Sequence, residues 1–450
     1  MPPFASLAIK ALPIVFLSAA STTALATDFL VTTDKDEFDG VCDAHCSLRD
    51  AIQAANEQPG PDRIQLSGTY ILSRAAPDDS TTYDEDDNQS GDLDIADELI
   101  IRGSGEEITE IRSEGANDRI FEVLPGARLF LERLTISGGL APFYGGALEN
   151  HGEALLKQVT LTNNQTKARN NGDICRGGAI ANFGTLGIFS SRLTLNKAQG
   201  HHAPLLGDPC YGGALYNQGQ LLVRDSLFAD NDGGSDYGLA GALYNSGMAD
   251  IARSTFVNNW TPEFGNASAI LNEKAGVLKV SNSTFSNNNA LAAVIHNEEP
   301  SQEGTPSLEL INVSIVDNIG SGVSNGGNLR IRNSLIAGIK DEIEGYSSSC
   351  WNYGNNYQFE ARGLLLGSTF GNCPADLYID DAETLTRLVE PLSMVNDRTY
   401  VHALRENSPA LDAGVGSCTG HDQRQQPRPL DGDGDGVAVC DLGAYEWARP

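Results

Sequence analysis

The sequence is short of positive charge and of long apolar stretches. It has 30 Lys and Arg residues against 60 Asp and Glu residues, a formal net charge of −30. A surface of that sign repels phosphate backbones and anionic headgroups, so we expect no nucleic-acid partner. After residue 26 no stretch approaches the roughly 18 consecutive apolar residues that span a bilayer. We therefore expect no transmembrane segment and, for so hydrophilic a chain, a monomer.

The first 26 residues have the pattern of an export signal. Lys10 supplies a positive charge, residues 11–17 form an apolar run, and Ala24-Leu25-Ala26 is a small-x-small cleavage site. The sequence thus predicts a signal peptide over residues 1–26 and a protein that is secreted or held at the cell surface. All eight Cys residues follow it, and an even number in an exported chain predicts disulfides.

A repeat of unequal length fills the middle of the chain. Its first signal is Gly-Gly-Ala followed by an apolar residue and, two positions later, Asn. The Asn residues recur at intervals of 32, 35, 28, 27, 25 and 28, at Asn150, Asn182, Asn217 and Asn245 and, after weaker echoes of the signal, at Asn272, Asn297 and Asn325. A second Asn follows the first by 14 residues in four successive repeats, at Asn164, Asn196, Asn231 and Asn259. Each interval is too short for a domain and matches one coil of a solenoid.

The segments between these signals are typical of strands. Residues 220–228 and 277–285, for example, are short, β-branched and aromatic. No amphipathic helix pattern separates them, which disfavours a βαβ sheet. We therefore predict an all-β, right-handed parallel β-helix with a rise of about 4.8 Å per coil. The equivalent Asn residues are predicted to stack into an amide ladder along its axis, although glycan contacts are an alternative role for them.

The Cys residues fit this register. Cys175 and Cys210 each lie two residues before a Gly-Gly pair, so they occupy equivalent places on adjacent coils. Their Cα atoms would be about one strand spacing apart, which a disulfide can bridge. Proximity in sequence predicts the other three disulfides, which are Cys42–Cys46, Cys350–Cys373 and Cys418–Cys440.

Both ends of the repeat carry different sequence, as a solenoid requires to cover its open coils. The segment from Ser47 to Asp50 is a capping box and predicts a short helix that stops within residues 56–60. A short helical pattern recurs around residues 382–388, after the repeat has faded. The predicted organisation is a signal peptide, an N-terminal cap over residues 27–60, a parallel β-helix over residues 61–375 and a small C-terminal module over residues 376–450.

Three motifs resemble bacterial families. Residues 46–52, with Asp50 in place of the family's Glu, and residues 91–95 resemble the signature of CSLREA-domain proteins. Segments within residues 407–446 resemble the choice-of-anchor Q domain, and the repeats are similar to those of polymorphic outer membrane proteins. The resemblance implies an exported β-helix of the pectin-lyase-like class at the cell surface, without a settled activity. Because this sequence stops soon after the last motif, we expect release or an unrecognised mode of attachment.

The resemblance leaves two functions open. Pectin-lyase-like folds include polysaccharide lyases and glycoside hydrolases, which need converging carboxylates, or a basic residue beside Ca²⁺. The Asp-Asp pairs at residues 78–79 and 380–381 are isolated. The basic residues Arg253, Lys279, Arg330 and Arg332, and the His pair at residues 201–202, have no companion motif. The ten acidic residues within 78–98 are interpreted as a solvated loop.

We therefore predict no catalytic residues and a binding solenoid whose insertions contact glycans or surface proteins. These insertions are residues 165–176, 197–211 and 232–239. The alternative is a carbohydrate-active enzyme, a polysaccharide lyase or a glycoside hydrolase. A groove in which two or more carboxylates converge would favour the enzyme, whereas scattered aromatic and Asn side chains would favour binding.

A structural calcium site is predicted near the C-terminus. Asp431, Asp433 and Asp435 alternate with Gly, which places carboxylates at positions 1, 3 and 5 of a loop that can wrap round Ca²⁺. The carbonyl oxygen of Val437 would be a further ligand. Asp441 falls at position 11, one short of the Glu that completes an EF-hand loop. An acidic, Gly-rich turn without metal is the alternative.

Overall fold

The computed structural model describes residues 26–75, 88–170, 173–200, 209–234, 238–262, 265–340, 348–354, 358–367 and 371–449. The predicted signal peptide lies outside these ranges except for its last residue, and so does the His pair at residues 201–202. The described chain is a right-handed parallel β-helix of about nine turns, so the predicted fold class is confirmed. Among the described residues no helix is long and apolar enough to cross a membrane.

One side of the solenoid is a sheet of ten parallel strands, here called the Asn-ladder sheet. Its strands are Leu93–Ile95, Phe121–Val123, Leu148–Asn150, Ile180–Asn182, Leu215–Asn217, Leu243–Asn245, Ala267–Asn272, Asn289–Asn297, Ile319–Asn325 and Cys350–Asn352. Strands of consecutive coils pair with one another in sequence order, so residues at the same position of the repeat lie side by side.

The other two sides form one bent sheet of twenty strands, here called the broad sheet. Its strands are Asp28–Phe29, Asp62–Leu66, Gly68–Leu72, Glu98–Gly103, Thr109–Ser113, Arg128–Ser137, Glu153–Thr162, Thr185–Phe189, Arg192–Thr194, Gln220–Arg224, Leu227–Ala229, Met248–Ala252, Thr255–Val257, Val277–Ser281, Thr284–Ser286, Ser307–Ile311, Ser314–Val316, Asn328–Ala337, Phe359–Leu366 and Leu377–Tyr378.

Smaller sheets complete the structure. Leu140–Ala141, Gln165–Lys167 and Lys197–Gln199 form one of them, Cys175–Arg176 and Cys210–Tyr211 another, and the antiparallel strands Ser393–Val395 and Thr399–Val401 a third. The first two lie at the predicted insertions. They show that part of each insertion pairs from coil to coil like the repeat itself.

The corners of each coil are made by residues with a left-handed backbone. Asp225 and Asn282 have φ values of 53° and 45° at one corner of the broad sheet, and Asn258 has 55° at the next. Asn and Asp tolerate this conformation better than other side chains. The Gly-Gly signal marks a third corner, where a Cβ on Gly213 would lie 2.1 Å from the carbonyl oxygen of Gly241. Glycine is therefore required there by the neighbouring coil.

Buried Asn side chains connect the coils. In the predicted ladder each amide nitrogen donates to the amide oxygen of the next Asn at 2.6 to 2.7 Å, from Asn150 through to Asn352, one coil beyond the predicted set. A second ladder runs from Asn164 to Asn318. Between the ladders, stacked Phe rings such as Phe228 and Phe256, 4.6 Å apart, fill the core.

The N-terminal cap is a helix, Leu48–Glu57, that begins with the predicted capping box. The side chain of Ser47 accepts a hydrogen bond from the backbone N–H of Asp50 at 3.1 Å, and the carboxylate of Asp50 accepts one from the N–H of Ser47 at 3.2 Å. Arg49 is fully buried and donates to the carbonyl oxygens of Gly91 and Asp92. This arginine therefore ties the cap to the first coils.

The eight Cys residues form four disulfides in the structure. The pairs are Cys42–Cys46, Cys175–Cys210, Cys350–Cys373 and Cys418–Cys440, the same pairs that the sequence predicts. The Cα atoms of Cys175 and Cys210 are 4.8 Å apart and are partners in a parallel strand pair. The register derived from the Gly-Gly signals accounts for this bridge.

The C-terminal residues from 376 onwards turn back and lie along the outside of the broad sheet. A short 3-10 turn, Asp381–Glu383, and a π turn, Thr384–Leu388, begin this segment. Its contacts span many coils: Arg398 pairs with Glu106 at 2.7 Å, and Gln423 accepts from Thr284 at 2.7 Å. A cavity of about 530 Å³ remains between the segment and the sheet, beside His402.

Removal of one ladder amide should destabilise the protein. In Asn217→Ala the amide oxygen of Asn245 loses the donor that now lies at 2.7 Å. We expect the free energy of unfolding to fall by about 2 kcal/mol, because a buried polar group loses its partner. Urea denaturation measures this, with Gln220→Ala, an exposed position on the same coil, as control. Equal stability of the two variants would contradict a structural ladder.

Docking of the C-terminal segment should weaken in acid. His402 is buried, and burial lowers its pKa; its ring nitrogens contact Ser286 Oγ at 2.9 Å and the carbonyl oxygen of Glu390 at 2.8 Å. The unfolded chain takes up the proton near pH 6.5 and the folded chain only lower, so stability is lost as pH falls below about 6.5. Between pH 7.5 and 5.5 the urea midpoint of the wild type should fall more than that of His402→Gln. Parallel pH profiles would refute this.

Candidate functional site

Acidic, aromatic and histidine side chains that could bind a ligand or take part in a reaction lie together on the outer face of the Asn-ladder sheet. In its short strands the first residue enters the core and the second points outward. The outward column consists of Asp94, Glu122, Glu149, Ala181, Tyr216, Tyr244, Leu271, His296, Ser324 and Trp351. Ten strands at this spacing make a strip about 43 Å long. Along it the chemistry changes from acidic to aromatic to mixed.

The first part is an acidic cluster, which consists of Asp92, Asp94, Asp118, Arg119, Glu122 and Glu149. Arg119 contacts Glu122, lies 2.9 Å from a carboxylate oxygen of Glu149 and lies 3.5 Å from one of Asp92. All six residues are at most 4% exposed. Burial raises the pKa of Asp92 well above its usual value, with the adjacent carboxylates adding to the rise and Arg119 opposing it.

The second part is an aromatic cluster, which consists of Tyr144, Arg176, Phe183, Tyr211, Tyr216 and Tyr244. Tyr216 and Tyr244 stack at 5.0 Å, and Tyr211 packs edge-on against Tyr244 at 4.8 Å. The guanidinium of Arg176 lies 5.3 Å from the ring centre of Tyr144 and 5.6 Å from that of Tyr216. Tyr216 and Tyr244 are buried, whereas the other four members of the cluster are partly exposed.

Two of the predicted insertions deliver side chains to this cluster. Arg176 ends the insertion over residues 165–176, and Tyr211 ends the one over residues 197–211. Each directly follows a half of the Cys175–Cys210 disulfide, and the two are partners in a parallel strand pair. The disulfide therefore holds both side chains against the sheet. From the third insertion, residues 232–239, Leu239 packs against the buried cluster that contains Tyr216 and Tyr244.

The third part is the Glu273 cluster, which consists of Glu273, His296, Glu298 and Tyr353. The Tyr244 hydroxyl donates to Glu273, and His296 Nε2 lies 3.0 Å from the Tyr353 hydroxyl and 3.3 Å from Glu298. Burial raises the pKa of Glu273, whereas the hydrogen bond from His296 lowers that of Glu298. Glu273 and Glu298 follow Asn272 and Asn297, which are partners in neighbouring strands, so their backbones lie on adjacent coils about one strand spacing apart. Environments that separate two carboxyl pKa values in this way suit acid–base chemistry.

Comparison with known proteins adds little to this geometry. No family model and no curated protein matches the chain, so its resemblance to CSLREA and choice-of-anchor Q domains stays a prediction. Pectate lyase Pel9A is similar in structure, with 15% identity and a TM-score of 0.47, over 93% of this chain and 96% of that one. A PL6 alginate lyase in complex with trisaccharide has 12% identity and a TM-score of 0.33, over 90% and 96%.

The catalytic domain of a GH87 α-1,3-glucanase, in complex with nigerose, is a third similar structure. It has 10% identity and a TM-score of 0.29, over 76% of this chain and 70% of that one. At such identities and scores these similarities say nothing about the activity of the present chain. The candidate site must therefore be judged from its own residues.

The predicted calcium loop is only partly assembled as expected. Carboxylate oxygens of Asp431 and Asp433 lie within 4.8 Å of each other and of Asp412, which the sequence analysis did not include. The Asp435 carboxylate accepts the N–H of Val437 at 2.7 Å, and Asp441 accepts the N–H groups of Asp412 and Trp447. The carboxylates of Asp435 and Asp441 thus accept hydrogen bonds from backbone N–H groups.

Other candidates have structural partners. Arg253 makes two 2.8 Å hydrogen bonds to Asp225, and Arg330 pairs with Glu309 and Glu360. Asp381, which lies at the start of the C-terminal segment, accepts two backbone N–H groups from the end of the solenoid, those of Gly338 and Ile339. The interpretation of residues 78–98 as a solvated loop is wrong for its described part, because Asp92 and Asp94 are 1% exposed. Residues 78–87 lie outside the described ranges.

Proposed function

We propose that this protein is exported and recognises neutral carbohydrate chains along the outer face of the Asn-ladder sheet. The observation that carries the proposal is the aromatic cluster, in which partly exposed rings and one arginine lie at the middle of a strip about 43 Å long. Binding sites combine apolar and aromatic surface with a few placed polar groups, and this strip has both.

The charge of the protein selects against acidic polysaccharides. Carboxylates lie at both ends of the aromatic cluster, in the acidic cluster and in the Glu273 cluster, and the whole chain carries −30. A polyuronate would be repelled from such a surface, whereas a neutral glycan would not. The four disulfides suit an oxidising compartment outside the cytosol, where such glycans occur.

Glycan cleavage is the second candidate function, and the Glu273 cluster favours it. Retaining glycosidases use two carboxyl groups about 5 to 5.5 Å apart, one protonated and one ionised. Glu273 and Glu298 lie on adjacent coils, and their surroundings shift their pKa values in opposite directions. In this reading Glu273 would be the acid and Glu298 the nucleophile. The acidic cluster is too deeply buried for a polymer to reach.

Loss of an aromatic ring should weaken glycan binding. A neutral-glycan array screened with the mature chain identifies a ligand, and calorimetry then compares the variants. We expect Tyr211→Ala to bind at least tenfold more weakly, whereas Tyr378→Ala, which removes an exposed tyrosine elsewhere, should bind like the wild type. Release of reducing ends from the bound glycan, abolished in Glu298→Gln, would establish cleavage. Equal affinity of both Tyr variants would refute the proposed surface.

We also propose that Asp412, Asp431 and Asp433 hold one structural calcium ion. Their carboxylates converge, and the cation would join the loop to the segment that contains Asp412. Equilibrium dialysis should show one fewer bound calcium per chain in Asp433→Ala than in the wild type. Asp435→Ala should retain the wild-type number, because that carboxylate is not one of the three that converge. Identical numbers for Asp433→Ala and the wild type would exclude this site.

A further inference from the structure

We propose that the acidic cluster is a buried divalent-cation site, with Asp92, Asp94 and Glu122 as its carboxylate ligands. This inference is separate from carbohydrate recognition and from the calcium loop, since it uses different residues at the opposite end of the solenoid. Three observations support it: the geometry of the carboxylates, the burial of Asp92 without hydrogen bonds to its carboxylate from the described residues, and the excess of negative charge around them.

The geometry suits a single ion. Asp92, Asp94 and Glu122 each present an oxygen, and these oxygens lie within 4.8 Å of one another. Calcium bonds oxygen at about 2.3 to 2.6 Å, so ligands on opposite sides of the ion are at most about 5 Å apart. Asp94, Glu122 and Glu149 are partners in three consecutive strands, which brings the carboxylate of Glu149 to the same side of the sheet.

Asp92 supplies the second, independent observation. It is 1% exposed, and within the part of the chain that the structure describes neither of its carboxylate oxygens accepts a hydrogen bond. Its contact with the Arg119 Nε atom, at 3.5 Å, is longer than an ordinary hydrogen bond. A carboxylate buried in this way costs several kcal/mol unless it is paired, protonated or bound to a metal. Its carbonyl oxygen accepts a hydrogen bond from Arg49 at 2.8 Å, which ties this residue to the cap helix.

The charge around Asp92 is strongly negative. Asp92, Asp94, Asp118, Glu122 and Glu149 are all buried, and Arg119 is the guanidinium that they share among the described residues. His151 reaches Glu149 at 2.9 Å from the partly exposed rim and can add at most one further positive charge. With all five carboxylates ionised, a divalent cation would balance half of the negative charge that Arg119 leaves.

The ligands indicate which cation fits. Carboxylate oxygens are hard ligands, which suit calcium, magnesium or manganese, whereas zinc prefers sites with Cys or His. Magnesium retains several of its waters when it binds, and the residues of this cluster are only a few per cent exposed to solvent. Calcium is therefore the expected occupant. Bound there, it would link the segment that the cap helix holds to two of the following coils.

The test uses the full mature chain carrying Asp433→Ala, which removes the calcium loop as a source of signal. After EDTA treatment this parent protein should bind one calcium per chain in equilibrium dialysis, and calcium should raise its melting temperature. Asp92→Asn and Glu122→Gln should each weaken calcium binding at least tenfold. Glu153→Gln, a partly exposed carboxylate on a neighbouring strand, should bind like the parent. Magnesium and manganese titrations rank the three ions.

Two results would overturn the proposal. One is a parent protein that binds no divalent cation with saturation, and the other is parent-like calcium affinity in both Asp92→Asn and Glu122→Gln. Circular dichroism of the metal-free proteins shows whether each variant folds, and if Asp92→Asn does not fold, Glu122→Gln decides the question. Because glycan binding does not enter these measurements, failure of the carbohydrate proposal would leave their outcome unaffected.

Discussion

The structure depends on the pairing of identical buried amides between neighbouring coils. An Asn side chain in the core needs both a donor and an acceptor, and a neighbouring coil supplies a side-chain partner by bringing another Asn to the same height. The bonds of 2.7 Å from Asn182 to Asn217 and from Asn217 to Asn245 meet that need. A slip of one residue would break every bond of the ladder. The amides therefore set the register for everything else on that side of the solenoid.

Because the register is fixed, the residues beside each ladder Asn become neighbours in space although they are far apart in sequence. Tyr216 lies against Tyr244 for this reason, and Glu273 lies one coil from Glu298. The outward positions lie outside both the main core and the ladder, and Tyr216, Tyr244 and Leu271 form a smaller buried cluster there. The same scaffold can thus carry carboxylates at one end, aromatic rings in the middle and a His–Glu pair further along.

Much of the fold could be predicted from residue spacing, and much of the site could not. The Gly-Gly and Asn signals are local, so they revealed the coils and the Cys175–Cys210 bridge. The first coils lack them: Ile95 and Val123 occupy the ladder position there. Without an Asn to mark the register, Asp94 and Glu122 could not be placed beside Glu149. The acidic composition around Asp92 then suggested solvent, although the structure buries it.

The sequence by itself determined the repeat, the corners and the disulfides, because each follows from conformational preferences within one coil or from one coil's relation to the next. Tertiary structure decided which outward side chains converge. The insertions differ in length, so the residues that each one brings back to the sheet cannot be read from a fixed spacing. It also placed Asp412 beside Asp431 and laid the C-terminal segment along the broad sheet. These contacts join parts of the chain that no repeat connects, so their partners become apparent only when the solenoid is closed.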